Sequence, residues 1–365
     1  QHINFTKGRP FRYGNHWHLI EGYADVVDFK LIPKTDGNSW FSMVMMLKEL
    51  KIKLKSWHRD RTKTQDTISQ LQQKCEKMQT LLDADPLNDN LLSSYFSTQE
   101  QLKEAFHLQA IQAKQMAKEK WLTQGDDCTK FFYAKMSFRR NCNALINSMN
   151  DHGDLATDIS QFEQGAISYF TNLYNGENKI TLPQITCRAI VTDVGRQMLQ
   201  ETVTEEEVRA AVFSIHTDSS PGPDGWNSKF YQLHWHHLKN HLLEAIQESF
   251  NTGKILHELN HTFITLIPKV ESPSRIEDFR PIACCNVLYK ILSKVICNRL
   301  TKVLPDLISE CQSAFIKGRH ISENSLLAHE LIRKFNKPGA DKMCLKIDLH
   351  KAYDKINRHF IIHVL

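Results

Sequence analysis

Between Leu47 and Leu82 apolar residues recur at alternating intervals of three and four. The series is Leu47, Leu50, Leu54, Trp57, Ile68, Leu71, Cys75, Met78 and Leu82, and only Arg61 and Thr64 break its seam. One face of a helix repeats at that spacing, so the stretch predicts a long amphipathic helix of coiled-coil type. Residues 83–90, DADPLNDN, cannot continue it, because Pro86 and the Asp/Asn side chains favour a turn. A second periodic segment follows through Leu92, Tyr95, Leu102, Phe106, Ala110, Ala113, Ala117 and Trp121. Two long helices about a short turn form an antiparallel hairpin, whose plain reading is a structural spacer.

Beyond the hairpin the pattern shortens. Residues 121–155 interleave Lys130, Lys135, Arg139 and Arg140 with Phe131, Phe132, Tyr133 and Phe138. Cations for phosphates beside rings for stacking suit a nucleic-acid surface, and an ordinary basic helix face over buried rings has the same look. NALINSM then alternates into NDHGD, a strand and hairpin signal. Ile159, Phe162, Ala166, Tyr169 and Leu173 mark a helix. Thr204 with Glu207 is a capping box opening a helix through Val208, Ala211, Val212 and Ile215.

From there SSPGPDGW (219–226) predicts a tight loop. His237 and His241 lie four apart on the next helix, where a solvated face is favoured over a metal pair. FITLIPK (263–269) predicts a short buried strand ending on Lys269. Leu288, Ile291, Leu292, Val295, Ile296 and Leu300 predict one apolar side for a helix over 286–304. QSAFIKGRHI (312–321) is apolar and then basic, with a further helix after it. MCLKIDL (343–349) alternates as a strand, Leu345, Ile347 and Leu349 on one side and Lys346 and Asp348 on the other.

Composition narrows the class. The 365 residues are 41% hydrophobic and 24% charged, room for two or three domains with the balance of a soluble protein. No apolar run reaches the roughly 20 residues of a membrane helix, and the first residues lack a signal peptide's apolar block. Nine cysteines without a C-x-x-C pair argue against a disulfide framework or zinc ribbon and for a reducing compartment. A formal net charge of +5 permits a polyanionic partner without requiring one.

Taken alone, Asp348 reads as a helix N-cap before HKAYDKI. Its company changes that. In order stand P-G-P-D-G-W (221–226), L-I-P-K (266–269), D-F-R-P-I (278–282), Y-K-I-L-S-K-V-I-C-N-R-L (289–300), Q-S-A-F-I-K-G-R (312–319) and K-I-D-L-H-K-A-Y-D (346–354). The series resembles the reverse transcriptases of non-LTR, LINE-type retrotransposons. It is specific over about 200–365, and the upstream segments, RPFRYGNHW (9–17) included, are similar to the same polyproteins.

The resemblance implies a predominantly α-helical α+β chain: a long helical hairpin linker, then partial reverse-transcriptase fingers and the first palm strand. Residues 1–40 would be the remnant of the end of an endonuclease domain, 41–125 the hairpin linker, 126–200 a basic and aromatic linker with the amino-terminal extension, and 201–365 the partial polymerase domain. Asp348 would be the catalytic carboxylate that binds Mg²⁺ in two-metal nucleotidyl transfer. Lys269 and Arg280 would clamp the incoming deoxynucleoside triphosphate, with Tyr353 as a steric gate beside the small Ala352. Gln312, Gly318 and Arg319 would contact the template, and the P-G-P-D-G loop is a further template candidate.

Two departures stand out. Ser219 or Ser220 occupies a position where the family often has Lys. No Asp-Asp pair follows Asp348; the pair at Asp126–Asp127 lies far upstream. The expectation is therefore a fragment of a larger reading frame, inactive by itself, whose parent copies an RNA template from a DNA primer. Its expected setting is intracellular, nuclear or in a cytoplasmic ribonucleoprotein, with no membrane partner. A non-catalytic RNA-binding remnant and a helical scaffold are the alternatives, and the first 40 residues are expected to be poorly ordered.

Overall fold

Helices dominate, as the three-and-four spacing requires. The computed structural model describes residues 10–29, 38–59, 64–117, 159–175, 190–270 and 275–335, together with 134, 137, 273, 343, 345, 347, 348, 356 and 358–364. In chain order these form α1 (Tyr23–Val26), α2 (Ser39–Arg59), α3 (Thr64–Ala84), α4 (Asp89–Ala117), α5 (Ile159–Asn175), α6 (Asp193–Gln200), α7 (Glu205–Ser214), α8 (Ser228–Leu233), α9 (Trp235–Thr252), β1 (Thr262–Pro268), β2 (Phe279–Cys285), α10 (Val287–Leu307), α11 (Ile321–Phe335) and α12 (Arg358–Val364). The chain is thus a predominantly helical α+β protein. Among the described residues no helix is long and apolar enough to cross a membrane. The strand and hairpin expected over NALINSM and NDHGD lie outside the described residues.

Contacts divide the chain into two units, residues 1–144, 203–267 and 281–292 in one and 145–202, 268–280 and 293–365 in the other. In the first, α3 and α4 pair around the turn at 85–88 as predicted. Ile68 is buried on the α3 seam. On α4 the seam runs one residue away from the expected start, through Leu91, Tyr95, Thr98, Leu102, Ala105, Gln109 and Ala113, while Leu92 is exposed. Thr98 and Gln109 tolerate burial because each has a partner: the Thr98 hydroxyl donates to the Ser94 carbonyl, and the Gln109 amide to Gln65 Oε1. The helix expected from 47 to 82 is described over α2 and α3, and residues 60–63 lie outside the description.

Residues 10–29 correct the expectation of a loose amino terminus. Phe11, Tyr13, Trp17 and Tyr23 are all buried. The rings of Trp226 and Phe230 lie 4.1 Å apart, and Tyr13 packs 5.8 Å and 5.3 Å from them. The Tyr13 backbone N–H donates to the Gly225 carbonyl at 3.0 Å. The Tyr13 carbonyl accepts from Gln115 Nε2 of α4 and from Asn227 Nδ2. The hydroxyls of Tyr13 and Tyr23 are hydrogen-bonded at 2.6 Å, and Tyr23 continues to His234 Nε2 at 2.8 Å. Large aromatic areas leave water here and the hydroxyls of Tyr13 and Tyr23 are satisfied, so the segment belongs to the core.

Helix α9 packs on α2 and α7. Trp40 Nε1 on α2 donates to the Ser249 hydroxyl at 2.6 Å. The capping box of α7 forms as predicted, with Thr204 and Glu207 bonding each other's backbone N–H. His237 stacks on Phe29 at 5.0 Å, and among the described residues no group of three His, Cys, Asp or Glu is placed to hold a metal ion.

In the second unit, α5 buries Ala166 and Phe170, in line with the predicted helix. The expected stripe of α10 shifts in its second half: Ile296 and Leu300 are exposed, whereas Arg299 is buried. The guanidinium of Arg299 donates to the carbonyls of Leu199 and Glu201 at 3.1 Å and 2.6 Å. It thereby satisfies the carboxyl end of α6.

Candidate nucleotide and template site

β1 and β2 pair as a two-stranded antiparallel sheet. FITLIPK was expected to be buried, but β1 is exposed or half-buried throughout. Two strands alone leave a face open among the described residues. Register follows from one bond, the Lys269 N–H donating to the Asp278 carbonyl at 2.7 Å. If 269 faces 278 as a hydrogen-bonded pair, 267 faces 280 likewise, and 268/279 and 266/281 are non-hydrogen-bonded pairs. Pro268 and Pro281 thus both fall where the missing N–H would have pointed away from the partner strand. The same register puts Lys269 and Arg280 on one face as diagonal neighbours. Both are exposed. Lys269 Nζ donates to the Glu277 carbonyl at 2.7 Å, and the Arg280 guanidinium makes no hydrogen bond or ion pair among the described residues. Two cations share an open face suited to a polyphosphate.

The loop over 312–319 is tied back to the end of α10 by Arg319. Arg319 Nη1 donates to the carbonyls of Ser309 and Gln312, and Nη2 to those of Pro305 and Ile308, at 2.6–3.0 Å. Those carbonyls come from the carboxyl end of α10 and the turn after it, where a cation is favoured. Arg319 therefore fixes the loop. Gln312 is exposed, and Gly318 has φ 86° with open space where a Cβ would stand. Asn324 Nδ2 ties α11 to the loop through the Cys311 carbonyl and the Ser313 hydroxyl.

Asp348 is exposed. The strand expected around it is absent at the described positions 343, 345, 347 and 348, where Met343, Leu345 and Ile347 are exposed too. A strand persists through a ladder to a neighbour, and among the described residues β1 and β2 pair only with each other. No hydrogen bond or ion pair joins Asp348 to Lys269 or Arg280 among the described residues. Ala352, Tyr353, Lys130, Lys135, Arg139 and Arg140 lie outside the description.

The P-G-P-D-G-W loop is a buried junction that sequence reading did not foresee. Gly222 lies against Asn286, where any Cβ would overlap the Asn286 amide. Asn286 Oδ1 accepts from the Asp224 N–H at 3.2 Å, Lys51 Nζ donates to the Asp224 carbonyl at 2.9 Å, and Lys290 Nζ donates to the Ser220 carbonyl at 2.9 Å. Asp224 Oδ1 accepts from the Trp226 N–H at 3.1 Å. Burial pushes the Asp224 carboxyl up to about 6, against the pull of that N–H, Lys51 and Lys290. The two glycines in P-G-P-D-G were the visible signal; the contact with Asn286 was not.

A pH dependence follows. A raised carboxyl binds its proton more tightly when folded, so the stability it contributes is present below about pH 4 and lost as pH rises through about 6. The scale is at most about 3 kcal/mol. His16 and His234 are pushed down to about 4, first by burial, so their contribution is lost as pH falls from 6.5 toward 4. Two histidines outweigh one aspartate, and unit stability falls on acidification. In Asp224→Asn the opposing contribution disappears. The unfolding free energy of that variant from urea titration should fall more steeply between pH 6 and 4, by about 1.4 kcal/mol per pH unit; an unchanged slope contradicts the assignment.

Comparison with known proteins gives this geometry a class. Residues 267–365 match the family model for reverse transcriptase (RNA-dependent DNA polymerase). That match holds Lys269, Arg280, the 312–319 loop and Asp348. The chain is 25% identical over 281 residues to the Transposon TX1 uncharacterized 149 kDa protein of Xenopus laevis, an alignment covering 75% of this chain and 21% of that protein. It is 24% identical over 176 residues to the Retrovirus-related Pol polyprotein from type-2 retrotransposable element R2DM of Drosophila melanogaster, covering 48% of this chain and 16% of that protein. The matched region thus spans about a fifth or less of each relative. These findings support a non-LTR retrotransposon reverse transcriptase, within the RNA-directed DNA polymerases.

Proposed function

We propose that residues 201–365 form the fingers and the start of the palm of an RNA-templated DNA polymerase, and that residues 41–200 link them to an upstream nuclease. Support comes chiefly from the hairpin: Lys269 and Arg280 stand on one exposed face, inside the region that matches the polymerase family. The β- and γ-phosphates of a deoxynucleoside triphosphate are the substrate groups that suit them, Arg280 binding in a bidentate manner and Lys269 as a point charge. The 312–319 loop, with Gln312 and Gly318 at its surface and Arg319 positioning it, takes the template strand. Lys130, Lys135, Arg139 and Arg140 add phosphate contacts from the linker, and Ala352 and Tyr353 line the sugar side of the nucleotide.

Asp348 supplies one carboxylate toward the divalent ions a polymerase uses. Among the described residues no group of three His, Cys, Asp or Glu is placed to hold a metal ion. No Asp-Asp pair follows Asp348 within residues 1–365, and this polypeptide by itself is expected to bind primer–template and nucleotide without incorporation.

Titration of a fluorescent deoxynucleoside triphosphate, with Mg²⁺ and primer–template present, tests the reading. The double variant Lys269→Ala/Arg280→Ala should weaken triphosphate binding by about 100-fold while barely changing monophosphate binding. Equal triphosphate affinity in the variant would overturn the clamp. RNA binding with no triphosphate binding at all would favour the non-catalytic RNA-binding reading.

A further inference from the structure

Lysines crowd the second half of α2, at 48, 51, 53 and 55, and Glu49 is the one acidic residue of that helix. The helical repeat sets Lys48, Lys51 and Lys55 along one flank, with Lys48 and Lys55 about 10 Å apart along the axis. Glu49 and Lys53, one turn apart, take the other flank. Lys48 and Lys55 are exposed and Lys51 is half-buried. Like charges three or four residues apart weaken a helix, and the fold answers these sparingly. Lys48 Nζ meets Glu258 Oε1 at 2.9 Å, an exposed pair of small worth. Lys51 Nζ donates to the Asp224 carbonyl at 2.9 Å and lies 5.2 Å over the Phe11 ring. Burial and then the charge of Lys55 push the Lys51 ammonium down. The Lys55 ammonium makes no hydrogen bond or ion pair among the described residues.

A row of one sign of charge on a packed helix suits a polyanion. The inner face of α2 is already used: Trp40, Met43, Leu47, Leu50 and Leu54 are buried, so no apolar stripe is left to enter a lipid surface. We propose that Lys48 and Lys55, with Lys51 between them, form a docking surface for the phosphate backbone of single-stranded RNA. The inference rests on the reading of the chain as an RNA-templated polymerase, which makes RNA the occupant. The complementarity is to phosphates alone, so the contact is insensitive to base sequence.

Salt titration of binding to a single-stranded RNA oligonucleotide tests it. Lys48→Gln/Lys55→Gln removes two phosphate contacts, so the fall of log affinity with log salt should become shallower by about 1.4, at about 0.7 per phosphate. At about 0.1 M salt the same two contacts amount to roughly a 20-fold loss of affinity. Lys48→Arg/Lys55→Arg keeps both charges and should keep affinity and slope. Lys74→Gln/Lys77→Gln removes the same charge from exposed positions on α3 and should leave the slope as it was. A DNA duplex of the same length, titrated in parallel, identifies the occupant.

An unchanged slope in Lys48→Gln/Lys55→Gln, or an equal change in Lys74→Gln/Lys77→Gln, overturns the inference while leaving the template reading in place. A loss of affinity for the duplex and not for the RNA does the same, because DNA is then the occupant. Absence of RNA binding by the unchanged 365-residue chain overturns both.

Discussion

Gly225→Ala is expected to destabilise the first unit by about 4 kcal/mol or more. Two independent effects add at that position. Gly225 has φ 82°, where an alanine Cβ is strained by about 1–2 kcal/mol. The same Cβ would overlap the Phe11 carbonyl and stand 2.7 Å from Cδ1 of its ring. Neither neighbour can yield cheaply. Phe11 is buried against Trp226 at 5.2 Å, and two residues on the Tyr13 backbone is pinned to the Gly225 carbonyl and to α4. Relief of the overlap means withdrawing residues 11–15 from the aromatic core.

Gly253→Ala is the matched comparison. Gly253 also has positive φ, 66°, at the carboxyl cap of α9, but nothing lies within 4 Å of its added Cβ. That substitution should cost about 1 kcal/mol. Urea unfolding of the two variants checks the difference. Equal midpoints would mean that residues 10–17 are not part of the unit's core.

How much of this was legible in the sequence depends on how local the signal is. The capping box at Thr204 and Glu207, the hairpin turn at Pro86 and the helix over 159–175 are set by neighbours within a few residues, and the structure has all three. Amphipathic stripes were read correctly in kind but drifted in register. Counting apolar residues chose Leu92 and Leu300, whereas the folded stripes hold Gln109 and Arg299, which are polar and satisfied by distant partners. Burial of FITLIPK was inferred from its apolar run, yet an apolar strand is buried only where another layer covers it. The aromatic core joins residues 11–17 to 226–230, more than 200 positions along the chain, and no local pattern marks such a contact.

The candidate site divides in the same way. Lys269, Arg280 and Asp348 were named from motif strings, and the hairpin register then placed the first two on one face. Arg319 was named for the template, while its guanidinium serves four carbonyls between Pro305 and Gln312, at the end of α10 and the turn after it.

The central claim is that K-I-D-L-H-K-A-Y-D begins a polymerase palm, so the decisive variant is Asp348→Ala. It should be made in any longer polypeptide that carries this chain and extends a DNA primer on an RNA template. A carboxylate that helps hold the catalytic ions acts on the reacting centre, and its loss is expected to lower nucleotide incorporation on the order of 10³-fold or more. Primer–template affinity, set by the fingers and the phosphate contacts, should hardly change. Because Asp348 is exposed, its removal should leave the urea midpoint nearly unchanged, which separates lost chemistry from lost folding. Primer extension by Asp348→Ala is therefore the one measurement to make. Incorporation lost with primer–template binding intact is the predicted result, and incorporation at the unmodified rate would contradict the account.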